Sequence, residues 1–242
     1  MEDVVNRRVV AYVMLTSFFV ASLTASNYLA SKIFSLGKIG GITIVAPAAV
    51  AAYALTFTFT DIISEVYGRR AANLAVRVGF VTQILVLLYG LIALKLPAAP
   101  FSPVGQEEFS KVVGAQSSII TASLIAYLAS QHHDVWAFHF WREKTRGRWL
   151  WLRNNLSTLV SQIIDTALFI TLAFNVLPHA FGGQALPLSV VGSIILGQYI
   201  IKAAIALGDT PLVYLGVYLT RQYIGIPSLQ TTGLTGAVEA AN

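Results

Sequence analysis

Two apolar segments of the sequence each carry a primary amide and a carboxylate three residues apart. Gln162 and Asp165 lie in "SQIIDTALF", and Gln131 and Asp134 lie in "SQHHDVWAF". Side chains three residues apart share one face of a helix, so each pair presents its polar groups together. An amide and a carboxylate offer donors and acceptors in a plane, which suits the edge of a purine-like base. This pattern predicts binding of a flat, hydrogen-bonding ligand.

The two segments also match each other. Ser-Gln-x-x-Asp-x-x-x-Phe occurs at 130–138 and again at 161–169. The two copies fall on neighbouring apolar stretches that should run in opposite directions. We therefore expect both carboxylates to face one shared pocket.

Further charged residues lie in apolar stretches, where charges are costly and usually face a cavity or a partner. Asp61 and Glu65 are four residues apart and share a helix face, and Lys202 and Asp209 are about two turns apart. A purely structural role is the alternative. Glu65 could pair with Arg69 at the next turn, Asp134 with a basic residue of the loop that follows it, and Asp165 with Lys202 in an ion pair that only holds helices together.

The composition is that of a polytopic membrane protein. Of 242 residues, 56% are hydrophobic and 11% are charged, and the mean hydropathy is +0.69. Soluble domains carry about 25% charged residues. We expect a single transmembrane domain over 1–242, with its first apolar segment retained and not removed as a signal peptide. The absence of cysteine excludes disulfides and thiolate metal sites. Adjacent His132 and His133 do not form an i, i+4 ligand pair, so neither a metal nor a cofactor is predicted.

Six membrane spans are predicted from stretches of about 20 mostly apolar residues. Their approximate bounds are 9–31, 43–66, 73–96, 112–140, 156–178 and 187–220. The last is too long for one straight crossing, and Pro211 predicts a kink or break near Asp209. The proline-rich segment 96–111 is expected to be the main structured loop.

Basic residues predict the orientation of these spans. If the spans alternate, eleven Lys and Arg fall on one side and four on the other, with Lys202 inside the last span. The positive-inside rule then places both termini in the cytoplasm. The basic segment 141–153 becomes a cytoplasmic loop anchored by tryptophans, and a nucleic-acid role for it is not favoured. The larger group is Arg7, Arg8, Arg69, Arg70, Arg77, Arg142, Lys144, Arg146, Arg148, Arg153 and Arg221, and the smaller is Lys32, Lys38, Lys95 and Lys111.

Four segments resemble one known family. "TDIISEVYGRRAA" (60–72) and "GRWLWLRNNLSTLVSQIIDTALFITLAF" (147–174), together with "SNYLASKIF" (26–34) and "SQHHDVWAF" (130–138), resemble the queuosine precursor transporter family, also called the vitamin uptake transporter family. The resemblance covers essentially the whole chain. It implies an all-α integral membrane protein with six transmembrane helices, in a bundle like the S-component of energy-coupling vitamin transporters. The chain departs from the family pattern at His132-His133, where an apolar pair is typical.

The resemblance also implies a function and a site. The function is uptake into the cell, across the cytoplasmic membrane, of 7-deazaguanine precursors of queuosine or archaeosine, such as 7-cyano-7-deazaguanine. Gln162 and Asp165, or Gln131 and Asp134, are expected to grip the pyrimidine edge of this ligand. Asn155 could instead cap a helix. The substrate-binding set carried over from the family is Asn27, Asp61, Glu65, Gln131, Asp134, Asn155, Gln162 and Asp165, with Lys202 and Asp209 as a coupling site or an ion pair.

Two energy sources are compatible with the sequence. No GxxxxGK[ST] motif occurs, so the chain has no P-loop ATPase site. Either a pocket carboxylate couples uptake to protons, which we favour, or the chain is an S-component-like subunit for this or another vitamin or purine that depends on a separate ATPase module. The expected partners are a 7-deazapurine, the lipid bilayer, and either a second copy or an energy-coupling module, without nucleic acid. An intramembrane aspartyl hydrolase is a remote alternative, because "LGDTP" lacks a Tyr-Asp partner and has Ala206 where such a site has glycine.

Overall fold

The computed structural model describes residues 2–39, 42–144, 150–208 and 210–225. Helices dominate it, and short π-helical (Leu172–Val176) and 3-10 (Leu177–Phe181) segments continue the fifth helix. The elements in chain order are α1 (Glu2–Leu29), β1 (Ile33–Ile39), β2 (Ile42–Pro47), α2 (Val50–Tyr67), α3 (Arg69–Lys95), α4 (Gln106–Lys144), α5 (Leu150–Thr171), α6 (Leu188–Gly208) and α7 (Thr210–Ile224).

Within the described ranges, four helical stretches are long and apolar enough to cross a bilayer, which requires about 20 residues. A fifth, Leu188–Lys202, is apolar but shorter. The molecule is therefore a mostly helical, multi-pass membrane protein. The four stretches correspond to the first, third, fourth and fifth predicted spans, and they are Asn6–Leu29, Arg70–Lys95, Gln106–Ser130 and Ile163–Phe181.

The prediction that a membrane span begins at residue 43 is wrong, because the first residues of the predicted span 43–66 form a strand. The expectation of an all-helical fold is wrong for the same reason. Residues Ile42–Pro47 form β2, which pairs antiparallel with β1 from Ile33↔Pro47 to Ile39↔Ile42. A run of β-branched residues, Ile-Thr-Ile-Val, favours this extended conformation. The helix α2 begins only at Val50 and is 18 residues long.

The break predicted near Asp209 falls on a residue that the structure does not describe, so it stays a prediction. α6 is described up to Gly208 and α7 from Thr210, which is followed by Pro211. The predicted loop 96–111 is shorter than expected, because α4 begins at Gln106.

Several helix ends meet at one face of the bundle. The Tyr67 hydroxyl at the end of α2 donates to the Arg8 carbonyl near the start of α1 (3.0 Å). At the same end of α2, Glu65 accepts a hydrogen bond from Arg221 of α7 (3.0 Å). Gly68, at φ 86°, allows the tight turn into α3. The starts of α1 and α3 and the ends of α2 and α7 therefore share a face.

The helices α4 and α5 pack antiparallel. Ser118 of α4 donates to the Ala173 carbonyl just beyond α5 (2.9 Å), whereas His133, further along α4, contacts Ser161, earlier in α5, at 3.0 Å between Nδ1 and Oγ. The two copies of the repeated motif consequently lie on adjacent antiparallel helices, as the sequence predicts.

The hairpin packs on α6. A side chain at Gly197 would overlap the Val45 carbonyl oxygen of β2, so glycine is what permits this close approach. The hairpin and α6 are thereby fixed against each other, and Pro47 at the end of β2 reaches the cavity described next.

Candidate functional site

A cavity of about 240 Å³ lies between the first six helices. This volume is below the usual 300–1,000 Å³ range of sites for drug-sized ligands, so it suits a small molecule. Its walls are largely apolar and each of the first five helices contributes an aromatic ring. The aromatic side chains that line it are Phe19, Tyr53, Phe57, Phe80, Tyr127 and Phe169.

An ion pair forms one wall of the cavity. Lys202 Nζ on α6 lies 3.2 Å from Asp165 Oδ2 on α5 and 2.9 Å from the Thr166 hydroxyl. The ammonium also lies 5.6 Å from the centre of the Tyr53 ring. The charged side chains are only 14% and 27% exposed, so each depends on the other for compensation. The Asp165–Lys202 pairing that the sequence suggested as an alternative is present.

Two buried amides form a second polar wall. Asn27 Nδ2 on α1 donates to Gln83 Oε1 on α3 at 2.8 Å, and Gln83 Nε2 donates to the Thr24 hydroxyl at 2.9 Å. Asn27 and Gln83 are only 5% and 2% exposed. Because each is held by the other, both amides have fixed orientations where they border the cavity.

Gln198 supplies a third polar group. It lies on α6 four residues before Lys202, so both side chains share the helix face that lines the cavity. Its Oε1 atom is buried and has no hydrogen-bond partner among the described residues. Buried polar atoms are nearly always paired in proteins, so this carbonyl oxygen is an unused acceptor on a residue of the cavity wall.

Three of the side chains predicted for the site line this cavity, namely Asn27, Asp165 and Lys202. Asp61 and Glu65 do not line it and are exposed on α2. Glu65 bonds to Arg221 of α7, and the side chain of Arg69, the local partner that the sequence offered, lies outside what the structure describes.

The remaining predicted residues cannot be placed in or out of the cavity. The side chains of Gln131, Asp134, Asn155 and Gln162 lie outside what the structure describes, although their backbones belong to α4 and α5. Asp209 lies outside it altogether. The alternative role of Asn155 as a helix cap is wrong, because α5 has already begun at Leu150.

The polar side chains of the cavity that sequence reasoning missed include Tyr53, Gln83 and Gln198. The two glutamines are isolated amides in otherwise apolar stretches, "VTQILVLL" and "LGQYII". An amide inside a membrane span is itself a signal, since polar groups there need a partner or a cavity. Tyr53 gives no comparable signal, because tyrosine is common in membrane helices.

Comparison with known proteins agrees with this architecture. Residues 47–216 match a family described as "Putative vitamin uptake transporter". A protein of Bacillus subtilis (strain 168), named "Probable queuosine precursor transporter", is 32% identical over 163 residues, which cover 67% of each chain. No solved structure shows significant similarity to the chain. The names of the family and of the relative denote transporters and not enzymes, and the protein belongs to the vitamin uptake transporter family.

Proposed function

We propose that this membrane uptake transporter imports 7-deazaguanine precursors of queuosine or archaeosine, such as 7-cyano-7-deazaguanine, and binds them in the cavity between its helices. The observation that carries the proposal is the cavity itself, which combines aromatic walls with buried amides and a compensated ion pair. The name of the Bacillus subtilis relative supports the same substrate class.

The charge balance of the cavity favours an uncharged ligand. Lys202 and Asp165 are the charged side chains among its described lining residues, and they neutralise each other. A charged ligand would lose its hydration without gaining an uncompensated partner, which is costly in a water-poor site. A neutral deazapurine avoids this cost, whereas the carboxylate of a vitamin such as biotin does not.

The flat shape of a deazapurine also fits the walls. Tyr53 and Phe57 contact each other edge to face on α2, with ring centres 5.0 Å apart, and both line the cavity. Aromatic faces are good surfaces for stacking a planar base. We assign the hydrogen-bonding edge of the base to Asp165 together with Gln162, which precedes it by about one helical turn, and we extend the site to Asn27, Gln131, Asp134 and Asn155.

We further propose six crossings of the cell membrane, with α6 and α7 together forming the last and both termini in the cytoplasm. The shared face formed by the ends of α1, α2, α3 and α7 supports this arrangement, and the basic residues favour that face as cytoplasmic. Because the chain has no cysteine, single cysteines introduced by mutation can report on which side of the membrane a residue lies. An impermeant maleimide should label Ser35→Cys in intact cells and Arg70→Cys only after permeabilisation, and the reverse pattern would invert the topology.

The substrate is tested by thermal-shift titration of the detergent-purified protein with 7-cyano-7-deazaguanine, guanine and biotin. We expect the deazapurine to stabilise the wild type and biotin to have no effect. Asp165→Asn should lose this stabilisation, whereas Glu65→Gln, a matched change outside the cavity, should keep it. A ligand shift that survives in Asp165→Asn would exclude Asp165 from the site, and a shift with biotin alone would refute the substrate class.

Autonomous transport is the energy source that we propose over a separate ATPase module. Proteoliposomes that contain only this protein should accumulate the deazapurine when an inward proton gradient is imposed, because a carboxylate in the pocket can couple uptake to protons. Binding without uptake in these vesicles would instead indicate dependence on a partner.

A further inference from the structure

We infer that Gln198 is a specificity-determining residue, whose Oε1 accepts a hydrogen bond from an N–H group of the bound ligand. The inference rests on the proposed function, because it assumes that the cavity is where the substrate binds. It goes further by naming the side chain that requires a donor on the ligand.

The first step is the state of the Gln198 oxygen. Gln198 borders the cavity, and its Oε1 atom is buried and has no hydrogen-bond partner within the described part of the chain. Rotation of the amide about its last side-chain torsion, which is broad in glutamine, would present this oxygen to a ligand in the cavity. An unpaired buried acceptor costs free energy, and that cost is removed when a donor arrives. An acceptor left unpaired at a cavity wall therefore favours ligands that bring a donor to it.

The second step is an inventory of the donors already committed nearby. Lys202, one turn along α6, donates to Asp165 and Thr166. On the second polar wall, Asn27 donates to Gln83. These polar groups are bonded to one another, so the arrangement leaves an acceptor for the ligand to satisfy.

The third step is the chemistry of the ligand. The pyrimidine edge of a guanine-type base carries a ring N–H beside an exocyclic amine, and a glutamine carbonyl accepts from either group. A site that hydrogen-bonds a ligand N–H rejects analogues without it strongly, because its own acceptor is then left unpaired. Gln198 would thus distinguish a guanine-type edge from apolar molecules of similar size.

The test compares Gln198→Met with the wild type and with Gln222→Met. Methionine keeps the length of the side chain and removes the acceptor. Gln222 is an exposed glutamine of α7 outside the cavity, so it provides the same chemical change at a control position. Dissociation constants for 7-cyano-7-deazaguanine and guanine, and melting temperatures without ligand, are measured for all three proteins.

We expect Gln198→Met to bind about tenfold more weakly than the wild type, since the ligand N–H loses its acceptor, whereas Gln222→Met binds normally. Without ligand, Gln198→Met should melt at or above the wild-type temperature, because replacing an unpaired buried acceptor by an apolar group is neutral or stabilising. Unchanged affinity in Gln198→Met would overturn the inference.

The two proposals fail in distinguishable ways. If the wild type binds guanine but not the deazapurine, the proposed substrate is wrong, and Gln198→Met is judged by its affinity for guanine. If the wild type binds neither, the proposed function fails. The ligand-free melting temperature then tests whether the Gln198 oxygen is unpaired in the protein. A fall of about 2 °C or more in Gln198→Met would show that its oxygen already has a partner inside the protein and would overturn the inference, whereas an unchanged or higher temperature supports it.

Discussion

Removing either charge of the Asp165–Lys202 pair alone should destabilise the protein, whereas removing both should not. At the observed 3.2 Å, the attraction between two unit charges is about 5 kcal/mol for an effective dielectric constant of about 20. Desolvation offsets much of this attraction, so the net contribution of the pair is small. A single substitution removes the attraction and leaves the other charge buried without a partner. We expect it to lower the free energy of unfolding by about 2–4 kcal/mol.

The assay is a double-mutant cycle on the free energy of unfolding in detergent, with Asp165→Leu, Lys202→Met and the double variant. Each single variant should lose about 2–4 kcal/mol, and the double variant should return to within about 1 kcal/mol of the wild type. A double variant that loses the sum of both single effects would refute the reasoning, because the two side chains would then act independently. Single variants that are as stable as the wild type would also refute the reasoning.

The Glu65–Arg221 pair provides an internal control. Its atoms are 3.0 Å apart, slightly closer than those of the cavity pair, but the Glu65 side chain is 59% exposed. Water screens an exposed carboxylate, and such pairs contribute about 0–1 kcal/mol. Glu65→Gln should therefore change the stability by less than about 1 kcal/mol, which separates the effect of burial from that of distance.

Two further changes test the packing around the cavity, each by its effect on the free energy of unfolding. Gly197→Ala should destabilise by about 1–3 kcal/mol, because the new methyl group overlaps the Val45 carbonyl, whereas Gly192→Ala on the same helix has open space and should be neutral or slightly stabilising. Gln83→Leu should destabilise by about 1–3 kcal/mol, because it leaves the buried Asn27 amide without its acceptor. An equal response of the two glycines, or no loss of stability in Gln83→Leu, would contradict these contacts.

The sequence predicted the long helices well because their signal is local. Continuous apolar runs between basic clusters indicate membrane segments, as they do for α1 and α3. The hairpin at 33–47 was missed because an apolar sequence has the same hydropathy whether it forms a strand or a membrane helix. The β-branched run at 42–45 was the available signal, and it competes with a long apolar stretch that continues to residue 63.

Partners that are distant in sequence were predicted less well. Glu65 bonds to Arg221, which is 156 residues away along the chain and which helical spacing does not suggest as a partner. Lys202 and Asp165 could be paired from sequence because few charges lie within the apolar stretches. Where many charges share a membrane face, as for Glu65, spacing along the chain does not identify every partner.

The cavity also shows why charge was an incomplete guide to its polar residues. Charged side chains stand out in a membrane sequence, but here Lys202 and Asp165 satisfy each other, and the amides of Asn27 and Gln83 are likewise bonded together. Groups that satisfy each other fix the shape of the cavity, and a ligand can bond to them only by sharing a partner that is already bonded. Gln198, an uncharged residue in an apolar helix, has an acceptor that the described protein does not use. Selectivity for a base edge should therefore depend on this amide together with Asp165, and not on the charged pair alone.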